Sequence, residues 1–304
     1  MKSKWLKKTL AIALALCTLS AVSCGKDTND NEKDDNTSPT DAPATENVVI
    51  AGTDSGVVRD GTPKKYFTLS FDDGITQDEK IIEILKKYNM DCCTFNINTG
   101  LYGANWTWVG QQLGNPNLTH IRYTEDKIKS VYDGFDVEVH TLTHPSLKNY
   151  DLVPEKIKEE VQGDADNIEE IFGIKPTGMA WPGGDTEYTD KTVELVLENT
   201  DIRWARAATT THKYDLPEYF MKWQPTCGIS EPNVITLARK FVRAEAEEDM
   251  LFYVWGHGYE LDHNDSYDTF EKLVKIMSEA EDVVFVTNAE FYQLFKDEIP
   301  SWKE

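Results

Sequence analysis

Apolar and polar positions along this chain follow two alternating periods. From about residue 64, apolar runs of strand length alternate with stretches in which apolar residues recur every three or four positions. "YFTLSF" (66–71) reads as a strand, and Ile81, Ile84, Leu85 and Tyr88 then mark one face of a helix. "CCTFNIN" (92–98) and "FDVEVH" (135–140) read as the next two strands. Val153, Ile157, Val161, Ala165, Ile168 and Phe172 mark a longer amphipathic helix, with Pro154 in its first turn and Gly173 past its end. "TGMAWPGG" (177–184), "DIRWARA" (201–207), "MLFYVWGHG" (250–258) and "DVVFVTN" (282–288) continue the series of strands. Helices are expected over 189–199, about 232–246, around 270–277 and over 289–298. Two stretches show no clear period. Residues 99–122, rich in Gly, Asn and Trp, read as an inserted loop, and 208–230 offers only a short strand at "FMKW".

Repeated strand–helix units predict a mainly parallel sheet. Seven or eight strands favour a (β/α) barrel over an open doubly wound sheet, and one domain accounts for them. At 304 residues and 40% apolar content, the chain is long enough for one sizeable core.

Before residue 64 the pattern is different. Residues 1–23 carry four lysines and then an apolar run from Leu10 to about Leu19, the pattern of a signal peptide. "SAVSC" resembles a bacterial lipobox, in which Cys24 is lipidated and becomes the new N-terminus; the alternative is ordinary secretion with cleavage nearby. Residues 24–63 begin with a stretch rich in Asp, Asn, Thr and Pro and are expected to form a disordered tether. The expected location is the extracytoplasmic face of a bacterial cell, with a lipid anchor as the membrane contact. Loss of the leader takes the net charge from −22 to −26. No basic stripe remains for a nucleic acid. Cys92, Cys93 and Cys227 form no CxxC pair, so a thiolate metal site is not expected.

Four polar or glycine features stand at strand ends: Asp72-Asp73, His140, Gly183-Gly184 and His257. In a (β/α) fold such ends converge on one face. Asp72-Asp73 is either a solvated turn or a cation site, since adjacent like charges repel. In "HTLTHP", His140 and His144 are four apart, and the strand end and Pro145 put them in a loop. Two imidazoles and one carboxylate make a ligand set that leaves positions open on a metal.

"TLSFDDG", "HTLTHP", the "WPGG" strand end and "VWGHG" occur in this order. Over residues 64–298 or so the chain resembles the polysaccharide deacetylases of carbohydrate esterase family four, the NodB homology domain. The resemblance implies a distorted (β/α) barrel over 64–304 and metal-dependent removal of N- or O-acetyl groups from a polysaccharide. It implies that Asp73, His140 and His144 hold a divalent metal, usually zinc, with cobalt or nickel able to serve. Asp72 would be the general base and His257 the general acid. The backbone N–H near Gly183 would help hold the oxyanion. Acetylated xylan, chitin-type glycans and peptidoglycan all stay open as substrates, and the protein is expected to act as a monomer.

The sequence departs from the family pattern at three places. Ala180 stands where an arginine normally pairs with the base. Arg206, near the end of the adjacent strand, could reach Asp72 instead; the alternative is a surface or ion-pair arginine. Trp223 is the candidate for an apolar wall over the acetyl methyl, against a plain core tryptophan. Trp255 replaces the usual leucine of the last motif, either narrowing the acetyl site or filling core. Asp215 or Glu231 could orient His257. Tyr102, Trp106 and Trp108 in the insert could stack on sugars or pin the insert to the domain. The competing readings are a non-catalytic carbohydrate-binding relative, favoured by the missing arginine, and a solute-binding lipoprotein.

Overall fold

A computed structural model describes residues 49–53 and 56–303. The expected signal peptide, Cys24 and most of the expected tether lie outside the described residues. The strands are β1 (Val49–Ile50), β2 (Lys65–Asp73), β3 (Cys93–Ile97), β4 (Asp136–Val139), β5 (Ile174–Lys175), β6 (Gly178–Ala180), β7 (Trp204–Arg206), β8 (Cys227–Gly228), β9 (Met250–Gly256) and β10 (Val283–Phe285). Eight of them form one curled parallel sheet in the order β7-β6-β4-β3-β2-β9-β8, with β10 also paired to β2. This is the α/β half-barrel of the expected deacetylase-like fold.

β2 is the centre of the sheet, and all nine of its residues are buried. One edge pairs with β9 from Lys65 to Phe71. The other takes β10 over Lys65–Phe67 and then β3 from Leu69 to Asp73. The strand is buried on both faces, yet "YFTLSF" is apolar along one file and partly polar along the other. Its two files still differ. Phe67, Leu69 and Phe71 pack into the main core beneath the helices. The opposite file begins at Tyr66 in a second core. It continues through Thr68, bonded to Asn288 (2.9 Å), and Ser70, bonded to the Tyr253 hydroxyl (3.0 Å), and ends at Asp72. This file becomes more polar towards the C-terminal end of the strand.

Trp223 belongs to that second core and not to an acetyl-binding wall. It is fully buried against Trp204, Tyr253 and Phe291. Its N–H donates to Ala205 O (3.0 Å) and its carbonyl accepts from Ala207 N (2.9 Å). The segment then runs into β8, which pairs with β9. Trp223 therefore ties the β7 end of the curled sheet to the β8 end. The strand expected at "FMKW" is a 3-10 turn over Phe220–Lys222, because Phe220 and Met221 donate to Pro300 and Ser301 carbonyls instead of to a strand.

The long helix carries an irregularity that periodicity did not reveal. It runs as Pro154–Ile157, a widened π turn Lys158–Gln162, and Gly163–Phe172, stopping at Gly173 with φ 74°. The insert is also structured, with a short helix Thr107–Gln112. The ordered domain starts earlier than residue 64. β1 pairs in parallel with β5, and Arg59 is ion-paired with Asp249 (2.8 Å) and Glu298. The tether boundary expected at residue 63 is therefore too late, because apolar Val49 and Ile50 find a strand edge to join.

Replacing Trp223 with alanine should cost about 3–5 kcal/mol of stability, the range for emptying a fully buried large aromatic site. Denaturant unfolding measures this. A loss under about 1 kcal/mol would contradict the structural role.

Candidate active site

Consecutive strand residues project to opposite faces, yet Asp72 and Asp73 both line one cleft. Regular strand geometry breaks at Asp73, whose φ is 80°. Thr141 (φ 68°) and His144 (φ 55°) adopt the same left-handed backbone, so three of the six such non-glycine residues among the described residues cluster here. Each costs about 1–3 kcal/mol and persists only where its surroundings enforce it.

Asp72 accepts from Asn96 Nδ2 (2.9 Å) at Oδ1 and is ion-paired with Arg206 at Oδ2. Burial pushes its pKa up, but the Arg206 charge, followed by His140 and His257, brings it below the ordinary value. Asp73 accepts from Arg122 at Oδ1 (2.8 Å) and meets His120 Nε2 at Oδ2 (2.9 Å). Burial again opposes ionisation, and the His120 hydrogen bond with the His257 and Arg122 charges holds Asp73 well below the usual range. Both carboxylates are thus ionised in a nearly dry site.

The histidines stand across from Asp73, with His140 Nε2 and His144 Nε2 each 3.8 Å from Asp73 Oδ1. His140 Nδ1 faces Ala180 O at 2.9 Å, so that nitrogen carries the proton and Nε2 presents its lone pair. That Nε2 is buried with no hydrogen-bond partner. Burial lowers the His140 pKa to about 4 and also lowers that of His144, which keeps both rings neutral. Two neutral imidazoles, one ionised carboxylate and an orphaned nitrogen fit a divalent cation, and ligand atoms of Asp73, His140 and His144 lie within 4.8 Å of one another.

The π turn and the helix that follows it hold the histidine loop in place. Glu160 accepts from Thr143 N (2.9 Å) and Thr143 Oγ1 (2.7 Å). Asp164 accepts from His140 N (3.0 Å), Thr99 N (2.8 Å) and Thr99 Oγ1 (2.6 Å). Asn98 Nδ2 donates to the carbonyls of His140 (2.6 Å) and Thr141 (2.9 Å).

His257 follows β9 and sits with Nε2 3.9 Å from Asp72 Oδ2 and 3.8 Å from Asp73 Oδ2. Its Nδ1 bonds Glu260 at 2.7 Å. Burial alone would lower its pKa, but the Glu260 hydrogen bond and charge, with those of both aspartates, raise it to about 9. Asp215 and Glu231, the sequence candidates for orienting His257, lie elsewhere, paired with Lys213 and His212. The spacing of three between His257 and Glu260 was the available signal, since the helix Gly258–His263 turns Glu260 back onto the ring.

Arg206, Gly183 and Trp255 line the same cleft of about 380 Å³. The Arg206 guanidinium lies 4.2 Å from the Trp255 ring centre. Arg203 turns away and donates to the carbonyls of Thr200 and Ile202. Trp106 and Trp108 line the cleft, whereas Tyr102 packs against the main core. His120 and Arg122 were missed because they lie at the end of the insert, where no period marks them.

Glu260→Gln removes the charge that keeps His257 protonated. The folded pKa is raised, so the protonated form is lost as pH rises through about 9. In the variant that loss moves to lower pH, and the alkaline limb of the pH–rate profile should shift down by about one to two units. An unmoved limb would exclude this pairing.

Residues 59–204 match the family model for polysaccharide deacetylase, a span that contains Asp72, Asp73, His140 and His144 and stops short of Arg206 and His257. Among solved structures, a Mycobacterium smegmatis protein assigned to the polysaccharide deacetylases superposes with a TM-score of 0.54 at 13% identity, over 82% of this chain and 96% of that one. The Xyl-CE4 domain of a multidomain xylanase from the hindgut metagenome of Trinervitermes trinervoides gives 0.49 at 14% identity, over 80% and 95%. The Streptococcus pyogenes deacetylase PplD in complex with acetate gives 0.40 at 21% identity, over 52% of this chain; the chain spans only 62% of that protein. Among curated proteins, none matches this chain. With the sequence match over the first half of the domain and a sheet of the same fold, the chain belongs to the polysaccharide deacetylases of the NodB homology type, a family of hydrolases.

Proposed function

We propose that this deacetylase is metal-dependent, with Asp73, His140 and His144 holding a divalent ion, zinc before cobalt or nickel, and that it acts on an acetylated extracellular or cell-wall polysaccharide. The observation that carries this reading is one cleft that joins a neutral-imidazole and carboxylate ligand set to a second ionised carboxylate and a protonated histidine. When bound, the ion polarises the acetyl carbonyl and makes a water easier to deprotonate.

The chain's own groups supply the rest. Asp72 takes the proton of the attacking water, and Asn96 and Arg206 hold its two oxygens in place. His257 donates from Nε2 to the leaving amine or alcohol, with Glu260 fixing its Nδ1. Gly183, at the cleft wall with φ 72°, offers its N–H as the candidate donor to the carbonyl oxygen. Trp181 and Trp255 exclude water from the same space. The binding-only reading rested on the absent arginine at Ala180; a guanidinium on Asp72 supports turnover instead.

Acetate release from acetylated xylan, chitooligosaccharides and peptidoglycan tests the proposal. At least one should yield acetate, with activity lost to a chelator and restored by zinc. Asp72→Asn should lower kcat by about 10²–10⁴-fold while metal stays bound, the range for a lost general base. Arg206→Ala should raise the acidic limb of the pH–rate profile, since the cation that depresses the Asp72 pKa is gone. Silence on all three substrates would overturn the reading.

We also propose that the domain works outside the cytoplasmic membrane as a lipoprotein anchored at Cys24. The support is the leader and "SAVSC". Cys24→Ala should move the protein from the membrane fraction to the soluble one, and unchanged fractionation would count against the anchor.

A further inference from the structure

One wall of the cleft has no part in this chemistry. It is formed by the insert between β3 and β4, and it keeps two large apolar side chains in water at the cleft, Trp108 at 51% exposure and Leu113 at 40%. Burying such a side chain is worth about 1.5–3 kcal/mol, which the fold forgoes here.

The wall is anchored. Trp106 stacks on His120 (5.5 Å, 11°) and lies 3.8 Å from the Arg122 guanidinium, and those two residues hold both oxygens of Asp73. Trp106 N also bonds His120 O (2.9 Å). Trp108 leans on Trp106 at 5.5 Å. Its ring is thus registered to the catalytic carboxylates through a buried stack.

The cleft lining also includes two glycines. Gly183 and Gly184 have φ 72° and 82°, and a Cβ on Gly184 would come within 2.9 Å of the Ala208 Cβ. The insert thus lines the cleft with an aromatic and apolar rail. The rail residues Trp106, Trp108, Val109, Gln112 and Leu113 are all uncharged.

We infer that Trp108, with Leu113 beside it, is a subsite for a pyranose ring adjacent to the one that loses its acetyl group, and that the chain it takes is a neutral gluco- or xylo-configured glycan. A pyranose with equatorial hydroxyls turns a flat face of axial C–H groups outward, and an indole face matches it. A polyanionic glycan finds no cation on the rail and meets a protein of net charge −22. The inference rests on the deacetylase reading for the place of the acetyl group, but sugar binding can be measured without turnover.

The test is calorimetric titration of the full chain with xylotetraose, chitotetraose, the corresponding monosaccharides and tetragalacturonate. At least one neutral tetrasaccharide should bind more tightly than its monosaccharide, and tetragalacturonate should bind more weakly. Trp108→Ala should weaken tetrasaccharide binding about tenfold, as loss of an aromatic contact implies, while Trp108→Phe stays within about threefold. Both variants should melt with the wild type, since the side chain is half exposed. Alanine binding like wild type, no binding of either neutral tetrasaccharide, or equal binding of tetragalacturonate would each overturn the subsite. Acetate release is read separately: tetrasaccharide binding through Trp108 without acetate from any substrate would leave the subsite standing and remove the enzyme.

Discussion

Two carboxylates on consecutive residues at the buried end of a strand repel each other. At a separation near 4 Å and an effective dielectric near 20, the repulsion is about 4 kcal/mol. The chain meets this with its own cations. Arg206 pairs with Asp72, and Arg122 with His120 covers both oxygens of Asp73. Two buried guanidiniums therefore balance two buried carboxylates. The adjacent acids of "FDDG" are thus offset by side chains of the chain itself. The lone pair of His140 Nε2 is buried there without a hydrogen-bond partner.

This balance explains why distant segments matter to one another. Arg122 arrives from the insert, and the insert is held by Trp106 packing over Arg122 and His120. The π turn, through Glu160, and the helix after it, through Asp164, hold the histidine loop, which allows Thr141 and His144 to remain in strained backbone. A π turn commonly marks a functional site, and here it sets Glu160 against the loop that carries both histidines.

Burial and period made the strands legible in the sequence. A parallel sheet covered on both faces turns its strands into continuous apolar runs, so the strands and the polar residues at their ends could be read directly. Contacts that depend on tertiary placement could not. Trp223 and Trp255 are the same residue type near strand ends, yet one links the ends of the sheet and the other lines the cleft. His120 and Arg122 sit in a stretch without period, so nothing marked them. Glu260 was passed over for Asp215 and Glu231 because no apolar period signals the short helix into which the chain turns after β9.

Two departures from the family pattern, Ala180 and Trp255, meet at Arg206. Ala180 on β6 and Arg206 on β7 are in-register neighbours, so the guanidinium has moved one strand sideways at the same level of the sheet. Its new route passes the Trp255 ring at 4.2 Å. A leucine there could not offer a π face, and such a contact is worth about 0.5–2 kcal/mol when desolvated. The backbone carbonyl of Ala180 accepts from His140 Nδ1, which leaves the ring's lone pair on Nε2. An arginine at both positions would crowd two cations against Asp72 in a site with almost no solvent. Arg206 and Trp255 therefore act together: the charge beside Asp72 comes from β7, and the Trp255 ring supports it.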